Sequence, residues 1–173
     1  MLDFLHQVFL HTPAWVFVLL AALIALGVQQ CFARTVSPVR VAVLPVAMVL
    51  LAALGVRSAF AAQPWALLAW AGVAAAVLAV MLRRPAPAGM RWDAAARRFA
   101  LPGSAVPLLL ILAIFITKYA VAVALAVQPG AAASLAVAVG VSALYGVFSG
   151  VFAGRALRLL RLARAEDGVR PEA

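Results

Sequence analysis

The chain has 173 residues, of which 68% are hydrophobic and 11% charged, with a net charge of +9. A water-soluble domain is roughly half apolar and about a quarter charged, so there is too little polar material here to cover a water-soluble surface. The basic residues sit at the ends of apolar runs, as orientation signals do, and not on one soluble patch, which argues against nucleic acid as a partner.

Several apolar runs reach the ~18 residues that mark a membrane-spanning helix. They are continuous, whereas a membrane β-barrel would alternate apolar and polar residues in short segments. The fold class expected is an all-α membrane protein: a bundle of five transmembrane helices forming a single domain over 1–165, followed by a polar tail over 166–173. The lone cysteine, Cys31, has no partner for an intrachain disulfide and reads as a small apolar residue near a helix end.

The opening stretch MLDFLHQVFLH carries Asp3 and no basic residue, so the n-region of a signal peptide is missing. It reads instead as a short interfacial helix on the outer face. Asp3, His6 and His11 would be its metal-capable groups, but their spacing matches no metal motif, and no metal is expected. The first span is expected at 13–30, with Thr12 as its cap and Pro13 at its first position. After a loop CFARTVSPVR, Ser37 and Pro38 repeat that signal for a second span at 39–61, with a kink expected at Pro45. The turn AAQP leads to a third span at 65–82.

The segment 83–104 is polar and arginine-rich. It reads as a short cytoplasmic hairpin, with MRW and RRFAL around DAAA, or alternatively as a helix lying on the lipid surface; the hairpin is favoured. Ser104 caps a fourth span at 104–127, with Pro107 in its first turn. After QPGA, the fifth span covers 132–154, and its helix continues to about residue 165. With the N-terminus outside, 12 of the 14 Lys and Arg residues fall on the inner side, leaving Arg57 outside and Lys118 within a span. The expected topology is therefore N-terminus out, C-terminus in.

Lys118 is the sharpest chemical feature. An ammonium group near the middle of a span costs about 2.5–3.5 kcal/mol on insertion scales, so it must meet protein, water or a partner. The neighbouring Tyr119, the outer cation Arg57 and the outer carboxylate Asp3 are its candidate companions, either as a structural polar cluster or as a ligand site for an anionic or polar solute. Ser142, Gly146, Gly150 and Gly154 recur every four residues in the fifth span and mark a face built for close helix packing. Its partner is read as another helix of the same chain, in preference to a second copy or another membrane protein. There is no glycine-rich phosphate loop, no H-E-x-x-H and no G-x-S-x-G, so no cofactor and no catalytic residues are expected.

The stretches HTPAWVFVLLAALIALGVQQ, RTVSPVRVAVLPVAMVLLAALGV, LPGS and IFITKYAVAV together resemble a family of uncharacterised bacterial inner-membrane proteins of similar length. The shared motifs fall on His11, Thr12, Pro13, Trp15, Leu44, Pro45, Thr117, Lys118 and Tyr119. The resemblance implies a multi-pass inner-membrane protein and supplies no activity. The expected role is that of a non-enzymatic accessory or assembly protein in the lipid bilayer. The alternative is a small transporter or binder of an anionic or polar solute working through Lys118.

Overall fold

The structure is a computed structural model that describes residues 12–85 and 89–168. Among the described residues it contains five α-helices and one three-stranded antiparallel sheet. In chain order these are α1 (Ala14–Gln29), β1 (Arg34–Val36), α2 (Pro38–Ala59), α3 (Pro64–Arg83), β2 (Arg91–Asp93), β3 (Arg98–Leu101), α4 (Val106–Val127) and α5 (Leu135–Gly168), with a 3₁₀ turn, Pro129–Ala133, before α5. Four helices, α2 to α5, are long and apolar enough to cross a membrane. The fifth, α1, has 16 residues and so spans about 24 Å, short of the ~30 Å hydrocarbon core.

The starts of the helices follow their local chemistry in part. Ser37 accepts a hydrogen bond from the Arg40 backbone N–H at 3.4 Å, and Pro38 opens α2, as expected. The helix continues through Pro45 to Ala59. Pro13, by contrast, is the N-cap of α1 and not its first helical residue, and no side chain caps this helix. Ala105 is the N-cap of α4, one residue beyond the expected position, while the Ser104 hydroxyl accepts from the Val106 N–H at 3.3 Å. The last helix runs unbroken to Gly168, three residues into the segment read as a polar tail.

The chain forms two compact units. The first comprises residues 1–32 and 103–129, and holds α1 and α4 side by side. Gly27 lies against Leu108 and Thr12 against Tyr119, so the two helices run antiparallel. A methyl group on Gly27 would collide with the Leu108 side chain, which is why the smallest residue stands there. The Ser104 N–H donates to the Gln30 carbonyl at 3.0 Å and ties the end of α1 to the approach of α4.

The second unit comprises residues 33–102 and 130–173. Its centre is α5, with 39% of its most apolar stretch buried against 6% for α2, α3 and α4. Helix α5 packs on α2 and, most extensively, on α3. Gly146 meets the Trp70 carbonyl and Ala74, Gly150 meets the Ala74 carbonyl and Val77, and Gly154 meets Met81. Contact positions rise together along both helices, so α3 and α5 are parallel. The Trp70 indole N–H donates to the Ser149 hydroxyl at 3.1 Å, and that hydroxyl donates to the Tyr145 carbonyl at 2.9 Å. Ser142 is fully buried, with no partner for its hydroxyl among the described residues. At the end where α3 and α5 begin, the Gln63 amide donates to the Ala133 carbonyl at 2.9 Å.

At the opposite end of this unit lies the sheet, in the order β1-β3-β2. The expected hairpin is present as β2 and β3, with Trp92 opposite Phe99 and Asp93 opposite Arg98. Its turn is held by Asp93, whose carboxylate accepts from the Ala95 and Ala96 N–H groups at 3.0 and 2.9 Å. The RTV stretch, read from sequence as loop, forms β1 and pairs with β3, Val36 opposite Phe99. The expectation of an all-α protein with a lone hairpin is corrected to a three-stranded sheet. Val36, Trp92 and Phe99 share the inner face and pack on Leu159 and Ala163 of α5. The Trp92 indole N–H donates to Asp167 at 2.7 Å, fixing the sheet to the last turns of that helix.

The glycine contacts give a direct test. A methyl group on Gly150 would sit 2.7 Å from the Ala74 carbonyl oxygen, whereas one on Gly140 of the same helix would meet nothing within 4 Å. Gly150→Ala is therefore expected to destabilise the protein, because overpacking costs about 1–3 kcal/mol and outweighs the ~1 kcal/mol that alanine gains in a helix. Gly140→Ala leaves stability unchanged or raises it. Thermal unfolding of both variants in one detergent measures the contrast.

Candidate functional site

Helix α4 carries Thr117, Lys118 and Tyr119 on its central turn. Its 22 residues span about 33 Å, and Lys118 stands roughly 2 Å from its midpoint along the axis. Lys118 is exposed, whereas Tyr119 is half-buried. The Tyr119 hydroxyl shares a hydrogen bond of 2.5 Å with the Thr12 hydroxyl, across the first unit. Its ring lies parallel to that of Phe115 one turn earlier, with centroids 6.3 Å apart. Thr12, expected to cap its own helix, thus bonds to α4 instead. Thr12 and Tyr119, more than a hundred residues apart in sequence, meet at this contact.

The remaining candidates stand elsewhere. Arg57 is exposed in the last turn of α2, in the second unit. Asp3, with His6 and His11, lies outside the described residues. Among the described residues, no group of three or more His, Cys, Asp or Glu side chains is placed to hold a metal ion. Ser142, Gly146, Gly150 and Gly154 form one buried face of α5, and α3 of the same chain covers the three glycines.

The second unit brings together basic residues that the sequence reads chiefly as orientation signals. Every described arginine of this unit except Arg57 belongs to the sheet, its turn, the start of α2, the end of α3 or the C-terminal half of α5. On the sheet, Arg91 and Arg98 project from the outer face with Asp93, while Val36, Trp92 and Phe99 turn inward. Arg34 is half-buried, and burial pushes its guanidinium below the ordinary arginine value; it remains cationic at neutral pH. At the end of α3, the Arg158 guanidinium donates through Nη1 to the Pro85 carbonyl at 3.1 Å. Its Nε is buried, with no partner among the described residues. The sequence signal for this cluster was present in the spacing of Arg155, Arg158, Arg161 and Arg164, but nothing in it showed that the chain after α3 turns back to meet Arg158.

The Thr12–Tyr119 contact predicts a specific energetic pattern. Tyr119→Phe and Thr12→Val each remove one partner and are expected to cost roughly 1 kcal/mol, while the double variant costs no more than the worse single one. Unfolding in a detergent titration checks the cycle; additive losses would show that the two hydroxyls act separately.

Comparison with known proteins gives one match. Residues 2–169 match a family described as a family of unknown function (DUF6622). No curated protein and no solved structure shows significant similarity to the chain. The match runs from residue 2 through α5 and so takes in both units, the Thr12–Tyr119 contact and the arginine-rich sheet. The chain belongs to the DUF6622 family.

Proposed function

We propose that the protein is a multi-pass protein of the bacterial inner membrane, with five spans, the N-terminus outside and the C-terminus in the cytoplasm. Its role is that of a non-enzymatic accessory or assembly protein. The observation that carries this reading is where the polar side chains are spent. Trp70, Ser149, Gln63, Thr12, Tyr119 and Trp92 all make bonds that join one element of the chain to another. The outward surface is then left to apolar side chains such as Val18, Leu50, Leu54, Leu68 and Leu109, and to an arginine-rich end. Such a surface suits contact with lipid and with neighbouring membrane proteins.

Reporter fusions test the orientation. Alkaline phosphatase joined after Gln63 is expected to be active, and joined after Asp93 inactive; the reverse pattern would overturn the proposed topology. For the role itself, purification from native expression levels in a gentle detergent is expected to bring down a partner in fixed stoichiometry. A clean monomer that also drives saturable solute uptake in proteoliposomes would replace the accessory reading with transport.

The second reading, a transporter or binder of an anionic or polar solute, is favoured by one observation: Lys118 is exposed close to the middle of α4. In this reading Lys118 and Tyr119 meet the solute in a cavity open to the outside. Lys118→Cys in a Cys31→Ser background, treated in intact cells with a membrane-impermeant thiol reagent, separates the two readings. Rapid labelling supports the solute site, and a folded variant that resists labelling removes the outward-open cavity.

A further inference from the structure

The parallel pair α3 and α5 ends in a step. Helix α3 stops at Arg83, and Arg84 leaves it in an extended conformation. Helix α5 runs on to Gly168. Gly154 packs on Met81, so Arg155 stands level with the last turn of α3, half-buried, and Arg158 stands one turn further along the same face. The two guanidinium groups are close enough to repel each other. Arg83 and Arg84 are exposed beside them.

Among the described residues, no carboxylate bonds to Arg155 or Arg158. The Asp93 carboxylate closes the hairpin turn, and Asp167 accepts from Trp92 about 18 Å further along α5. Arg158 is held by the Pro85 carbonyl through Nη1, which leaves its buried Nε aimed away from that bond with no acceptor among the described residues. The 20 residues of α3 span about 30 Å, the thickness of a hydrocarbon core. In a chain that spans the bilayer, the step therefore falls at headgroup depth.

We infer that the step between the end of α3 and Arg155–Arg158 of α5 binds the headgroup phosphate of an anionic phospholipid. The inference rests on the reading of α3 and α5 as membrane spans. A phosphodiester supplies the acceptor oxygens that the Arg155 guanidinium and the Arg158 Nε lack, and guanidinium groups match phosphate in a bidentate geometry. Its charge relieves the repulsion between the two arginines. Basic clefts between helices at headgroup depth suit such lipids, whose acyl chains would lie along the apolar flanks of α3.

The test uses the full chain, purified in a mild detergent and presented with equal amounts of phosphatidylglycerol and phosphatidylcholine, with retained lipid read by native mass spectrometry. Phosphatidylglycerol is expected to be retained in preference. Arg155→Gln with Arg158→Gln is expected to lower that preference roughly tenfold or more. Arg57→Gln, at the other end of the unit, leaves it intact. Arg155 makes no hydrogen bond among the described residues, so the single variant Arg155→Gln serves where the double variant loses helicity, with a roughly fivefold loss expected. Equal retention of the two lipids, or a preference that survives both substitutions, would overturn the inference. Loss of bound lipid to excess inorganic phosphate would assign the site to a free anion instead. Flotation of the protein with vesicles is run alongside: failure to float would overturn the spanning reading, whereas flotation without lipid preference would overturn this inference alone.

Discussion

The close approach of α3 to α5 is the constraint on which the second unit depends. Backbone carbonyls of Trp70 and Ala74 lie where the side chains of Gly146 and Gly150 would otherwise be, so the two helices are seated nearly backbone to backbone. In an apolar solvent there is little hydrophobic drive to bring helices together, and close packing with a few interhelical hydrogen bonds must do so. The Trp70–Ser149 bond stands within this seam and ties it in register. With the seam set, the end of α3 is fixed relative to Arg155 and Arg158, and the chain leaving α3 is placed to form the β2–β3 hairpin.

The sheet depends on the same helix from the other side. Three- and four-residue strands are too short to be stable alone, and a small sheet needs a face to pack on. Leu159 and Ala163 provide that face, and Asp167 provides a polar anchor, to Trp92. The inner side of the sheet is then consumed by Val36, Trp92 and Phe99, which leaves the charged residues of β2 and β3 on the outside. The positioning of charge at this end follows from strand alternation once the packing face is chosen.

Much of this was legible in the residues. Each helix was found to within about three residues of its ends, because long apolar runs punctuated by proline and small-residue turns carry a strong local signal. The hairpin was legible from the arrangement of MRW and RRFAL around a short turn. Strand β1 was not: Arg34, Thr35 and Val36 are too few to show a period, and their partner β3 lies more than sixty residues away. The glycine stripe announced close packing without naming the helix that fills it, since any helix with small or accommodating side chains would do. Thr12 was assigned to its own helix on local chemistry and instead bonds to Tyr119, a contact that only the antiparallel pairing of α1 and α4 creates. Arg158 likewise reads as one solvated charge among several until the Pro85 carbonyl is brought to it.

The order of elements along the chain bears on how this unit is made. Helix α5 follows in the sequence everything it holds together: α2, α3 and all three strands are synthesised before it. Until it arrives, the inner face of the sheet has no apolar surface to rest on, and α3 lacks the groove that receives its backbone. The β1–β3 pairing and the parallel helix pair are both long-range contacts, whose closure is entropically costly before later contacts offset it. Assembly of the second unit is thus gated by its last helix. During synthesis the chain passes through a stage in which α2 and α3 are present but unseated, and a nascent Trp92 and Phe99 wait in the open for their partner.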